Sequence, residues 1–136
     1  MGTNLNPYLH FGDSARQAME FYREVFGGSL TVMTFGDMGL EGPDATKIMH
    51  GQLEDEAGII LMGADTPTGT TRPSGASMTV SLSGDDAPTL HRWWNQLSAG
   101  GTVDTPLEQQ MWGDEFGACT DRYGVPWLVN ITAPRG

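Results

Sequence analysis

The sequence has few basic residues, almost no cysteine and no long apolar run. Of its 136 residues, 7 are Lys or Arg and 17 are Asp or Glu, for a formal net charge of −10. A chain without a basic stripe has nothing to exchange for the counterions on a phosphate backbone, which excludes nucleic acid as the expected partner. The same charge disfavours an anionic membrane surface. Cys119 is the sole cysteine, so neither an intrachain disulfide nor a cysteine-rich metal site can form. No segment approaches the ~20 apolar residues of a membrane-spanning helix. Residues 1–9 lack the basic start and apolar stretch of a signal peptide, so the expected location is the cytoplasm. Also missing are a serine-centred nucleophile elbow, a phosphate-binding loop and a dinucleotide fingerprint. What these absences leave is an acidic chain that handles a small molecule or another protein.

What is present is glycine, 19 residues of it, and a chain 38% hydrophobic. The length suits one domain, since domains cluster near roughly 100–150 residues. An internal repeat organises it. Gly12-Asp13-Ser14-Ala15 is matched 72 residues later by Gly84-Asp85-Asp86-Ala87, and Phe21-Tyr22 by Trp93-Trp94 at the same offset. Gly27-Gly28 is matched by Gly100-Gly101, and the pair Gly51 and Gly58 by Gly117 and Gly124. Each half therefore reads as strand, helix, Gly-Gly stop and three strands. The modules are 1–65 and 76–136, joined by a connector at 66–75 whose Pro, Gly and Thr content resists regular structure.

The helices have readable signals. Asp13 or Ser14 is expected to cap the first, and Ala15, Ala18, Met19, Tyr22, Val25 and Phe26 recur at helical spacing. Asp85 or Asp86 is expected to cap the second, with Pro88 in its first turn and Leu90, Trp93, Trp94 and Leu97 on its buried face. Alternation in the first strand puts Tyr8 and His10 on one face, Leu9 and Phe11 on the other. In the fifth, Thr79 and Ser81 oppose Val80 and Leu82. Trp93 and Trp94 read as core or interface mass, Asp121 as a turn acceptor, His91 as solvent-facing beside Arg92, and Cys119 as a buried inert thiol.

Several motifs resemble the vicinal oxygen chelate superfamily (glyoxalase, bleomycin resistance, dioxygenase), and within it the PhnB-like group. They are Pro7-Tyr8-Leu9, the run Phe21 to Gly28, Met49-His50, Trp112-Gly113, Phe116-Gly117, the segment Asp121 to Trp127, and Asn130. The resemblance implies an α+β fold of two pseudo-symmetric βαβββ modules forming a cup-shaped mixed sheet. It also implies a homodimer. The repeat itself is compatible with modules pairing within one chain or across two. Catalytic members hold a divalent metal with His and Glu side chains from the first and fourth strands of each module. Carried onto this chain, those positions fall at Asn6 or Pro7, Ser77 or Met78, Met62, and Leu128. None is an imidazole or carboxylate, and thioether or isobutyl groups do not bind a borderline cation. The expectation is therefore no metal and no cofactor.

A metal-free cup is a concave surface for a hydrophobic or aromatic compound, as in the bleomycin-resistance type. Its expected lining is Tyr8, His10, His50, Met62, Ser77, Thr79, Met111, Trp112, Leu128 and Asn130, with Ser81 beside them. Trp112 would offer a stacking plane, and Met62 and Met111 adaptable contacts. The alternative is a metal-dependent isomerase, lyase or dioxygenase whose site is rebuilt from His10, His50 and Glu108. A third reading is an interaction domain with a filled cup. No glycine loop suited to a methyl donor supports a methyltransferase.

Overall fold

The computed structural model describes residues 5–56, 58–68 and 78–133. The chain divides into two compact units, Met1–Pro73 and Ser74–Gly136. The first contains β1 (Tyr8–Phe11), α1 (Ala15–Phe26), β2 (Ser29–Thr34), β3 (Ile48–Glu54) and β4 (Ile60–Asp65), with a short 3-10 turn at Gly36–Met38. The second contains β5 (Val80–Gly84), α2 (Ala87–Ser98), β6 (Thr102–Gln109), β7 (Glu115–Thr120) and β8 (Pro126–Ile131). The expected βαβββ duplication is therefore present. Each unit builds a four-stranded mixed sheet, in the orders β1-β4-β3-β2 and β5-β8-β7-β6. The pair β1–β4 is parallel, as is β5–β8, and the remaining neighbours are antiparallel.

Each helix buries one stripe against its own sheet. In α1 the buried residues are Ala15, Ala18, Met19, Tyr22 and Val25, and in α2 they are Leu90, Trp94 and Leu97. On the sheets, Phe11, Leu53 and Leu61 are buried in the first unit, and Trp127, Val129 and Ile131 in the second. Because side chains alternate along a strand, the partners of these residues point away from the helix. The double glycines also serve this arrangement. A Cβ on Gly28 would strike the Glu54 carbonyl oxygen, and one on Gly101 the Thr120 carbonyl oxygen. Only hydrogen lets the strand after the helix approach its neighbour so closely.

The first helix cap differs from expectation. Ser14 occupies the N-cap position without a side-chain bond. The Ala15 N–H instead donates to Asp65 Oδ1 at 2.8 Å, and the Ile48 N–H donates to Asp65 Oδ2 at 2.8 Å. A carboxylate delivered from the end of β4 thus satisfies an orphan donor of the first turn, where the helix dipole also favours negative charge. In α2 the expected cap is present, with Asp86 accepting from the Thr89 N–H. The fifth strand starts later than its alternation suggests, at Val80. Val80 pairs with Trp127, so one step back would face Pro126, which has no N–H to give the ladder. Thr79 is therefore outside the strand. Ser77 and most of the connector lie outside the described residues.

Candidate functional site

The helix-averse face of the first sheet carries the densest cluster of functional groups. Tyr8 and His10 project from β1 on this face, while Leu9 and Phe11 turn toward α1, as Phe11's complete burial and Tyr8's 42% exposure show. The Tyr8 and His10 rings lie 5.4 Å apart between centroids, and the Tyr8 and His50 rings 5.7 Å. The Tyr8 hydroxyl is 3.3 Å from His50 Nδ1. His50 Nε2 is 3.3 Å from Gln52 Oε1, and Gln52 Nε2 donates to Glu54 Oε1 at 2.7 Å. Met62 stands opposite both Tyr8 and Gln52 in the ladder, and Met33 opposite His50. Burial raises the Tyr8 phenol above its ordinary value, because desolvation disfavours the phenolate.

The structure thus brings together Tyr8, His10, His50 and Met62 of the expected set. Sequence reasoning missed Gln52, Glu54 and Met33. The first two were accessible, because His50, Gln52 and Glu54 share one face of a strand by the period-two rule. Met33 depends on the β2–β3 register, which the sequence does not state.

The second unit has its own helix-averse face. Leu128 and Asn130 are half-buried there, opposite Ser81 and Ser83 on one side and Ala118 and Phe116 on the other. Asn130 Nδ2 donates to Asp114 Oδ2 at 3.2 Å. Met111 and Trp112 are not on this face. They occupy the turn between β6 and β7, closed by a Gly113 N–H to Gln110 carbonyl bond of 2.9 Å, and are 98% and 61% exposed. Thr79 is exposed ahead of β5, and Glu108 is exposed on the edge strand β6. His91 is part-exposed and paired with Glu115 at 2.9 Å.

Two groups read as structural are so placed. Asp121 is buried and accepts from the Tyr123 and Val125 N–H groups and from the Trp127 indole. Cys119 is 1% exposed. Desolvation, reinforced by the Asp121 and Asp104 charges, pushes its thiol up to about 11. Since the thiolate is the nucleophile, alkylation at pH 8 should be negligible in the native protein and rapid in urea. Mass spectrometry after iodoacetamide treatment checks this. The folded protein also keeps this proton to higher pH than the unfolded chain, so the linked stability is intact below pH 9 and falls as pH climbs from about 9 toward 11.

The residues present do not fit the divalent ion that the resemblance implies. Asn6 precedes β1, Met62 offers a thioether and Leu128 an alkyl group. Among the described residues, no three His, Cys, Asp or Glu side chains gather where one ion could take them.

Comparison with known proteins agrees with the architecture. Residues 4–129 match the profile of the Glyoxalase/Bleomycin resistance protein/Dioxygenase superfamily. Protein YjdN of Escherichia coli (strain K12) is 29% identical over 141 residues, which span 93% of this chain and 94% of that protein. The crystal structure of protein PA1353 from Pseudomonas aeruginosa is similar with a TM-score of 0.87 at 33% identity, covering 98% of this chain and 100% of the other. A PhnB protein from Bacillus cereus shares the fold with a TM-score of 0.76 at 19% identity, over 96% and 100% of the two chains. With two βαβββ units, the matching profile and whole-length relatives in hand, the chain belongs to the glyoxalase/bleomycin resistance/dioxygenase superfamily.

Proposed function

We propose that this chain is a metal-free, ligand-binding member of the superfamily, and that it takes a hydrophobic or aromatic small molecule. The observation that carries this reading is the ring cluster of Tyr8, His10 and His50 on the sheet face opposite α1. Three rings within stacking range, bordered by Met62, form a surface that a flat ligand can cover. The polar side chains of Tyr8, His50, Gln52 and Glu54 are held in place by hydrogen bonds to one another, and placed polar groups fix a ligand's orientation. The positions that the resemblance assigns to a metal support the same reading, because none carries an imidazole or carboxylate, and Met62 and Leu128 among them supply apolar contact.

The energetics set the terms. A ligand ring covering roughly 100 Å² of apolar surface gains about 2.5 kcal/mol at ~25 cal/mol per Å². Micromolar affinity needs about 8 kcal/mol. Ring contact alone therefore gives weaker than micromolar binding, and recognition of a polar group of the ligand adds about 0.5–1.5 kcal/mol to it.

Methyl-labelled methionine and histidine-ring NMR tests the proposal. Titration with a library of aromatic compounds should give saturable shifts at Met33, Met62, His10 and His50. A library that leaves all four signals in place would defeat it.

A further inference from the structure

The hydrogen bonds that lead away from Tyr8 run in one direction, and chemistry fixes that direction from the far end. An ionised carboxylate accepts and cannot donate. Gln52 Nε2 sits 2.7 Å from Glu54 Oε1. Turning that amide over would set two acceptor oxygens against each other, so the amide nitrogen must face Glu54. The Gln52 carbonyl oxygen then faces His50 Nε2 at 3.3 Å, which requires that this nitrogen carry a proton. In a neutral imidazole, a proton on Nε2 leaves Nδ1 bare. Nδ1 is the atom 3.3 Å from the Tyr8 hydroxyl. With the imidazole neutral, the phenol donates to His50, and its one proton is committed toward β3. A phenol keeps that proton at neutral pH, and burial raises Tyr8 further above its ordinary value.

A hydroxyl whose proton points toward β3 shows lone pairs away from it. Resting on the ligand-binding reading above, we propose that Tyr8 Oη is the acceptor that fixes the polar end of the ligand. The site accordingly selects flat aromatic compounds bearing a neutral O–H or N–H donor, such as phenols, anilines or indoles. It disfavours isosteric ethers, which bring no proton, and carboxylates, which bring a second acceptor and a charge of the same sign as Glu54. Gln52 is a positioning residue in this scheme. It touches no ligand and acts by holding the His50 tautomer.

The test compares 2-naphthol with 2-methoxynaphthalene, which share a ring system and differ in the donor. Affinities are read by NMR titration of the full chain, and the His50 tautomer by ring nitrogen shifts. The naphthol should bind about five- to tenfold more tightly, the worth of one hydrogen bond. Tyr8→Phe should erase that preference while still binding the ether. The His50 ring should show its proton on Nε2, and Gln52→Leu should shift this signature and shrink the preference. Equal affinities in the native protein, a preference that survives Tyr8→Phe, or a proton on Nδ1 would each overturn the inference and leave the binding reading standing. Failure of both naphthalenes to bind would overturn both.

Discussion

Asp121→Ala is expected to cost about 4–5 kcal/mol, a large share of what holds a domain folded. The carboxylate is 3% exposed and accepts three hydrogen bonds: from Tyr123 N–H at 2.8 Å, Val125 N–H at 3.1 Å and Trp127 Nε1 at 2.8 Å. Bonds to a charged acceptor contribute about 1.5–3 kcal/mol each, and a buried donor left unpaired loses its solvation as well. Native domains have about 5–15 kcal/mol in total. Asp121→Asn should lie between the variant and the native protein. Its amide oxygen can serve the two backbone donors, but its NH2 group would meet the Trp127 N–H, donor against donor. The pseudo-equivalent turn supplies a control. Asp55 accepts from the Ile59 N–H at 2.8 Å in a part-buried setting, so Asp55→Ala should cost about 1 kcal/mol. Urea unfolding followed by circular dichroism measures all three, with tryptophan fluorescence reporting on the second unit, which holds all four tryptophans. Equal midpoints for Asp121→Ala and Asp55→Ala would contradict the assignment.

Asp65→Ala should cost about 3 kcal/mol in the first unit. One oxygen of this buried carboxylate accepts from the first residue of α1, and the other from the first residue of β3. Removing it leaves two buried backbone donors without a partner and deletes a negative charge at a helix N-terminus. Asp13→Ala and Ser14→Ala should each cost well under about 1 kcal/mol, because neither side chain caps the helix. Hydrogen exchange gives a local readout. The Ala15 and Ile48 amides should lose protection together in Asp65→Ala. Protection retained at both amides would show that other groups satisfy them.

These two carboxylates also show what a sequence reveals and what it hides. Asp121 could be read as a turn acceptor because its partners are two, four and six residues away. Asp65 could not be read as a helix cap, because its partners are 50 and 17 residues away and meet it only after β1 and β4 pair side by side. The βαβββ order was legible because glycine spacing and helical periodicity are local patterns repeated twice. The same holds for the faces of β1, where Tyr8 and His10 separate cleanly from Leu9 and Phe11. The trace of the ring cluster was partial. Tyr8 and His10 share a strand, but their meeting with His50 depends on the register of β3 against β4. Trp112 was drawn toward the sheet by its chemistry, yet the turn between β6 and β7 sets where it points. Strand-edge chemistry hid the start of β5, since Pro126 ends that ladder from the opposite strand.

The central proposal is that this chain takes no divalent ion at the positions the resemblance assigns to one, because Asn6 or Pro7, Met62, Ser77 or Met78, and Leu128 supply no imidazole or carboxylate. Metal analysis by inductively coupled plasma mass spectrometry tests this most directly. The protein should be expressed in medium replete with zinc, iron, manganese and nickel, and purified without chelators. The account predicts far less than one equivalent of any of these per chain, unchanged after dialysis against the same ions. A stoichiometric ion that resists dialysis and is released on unfolding would contradict it.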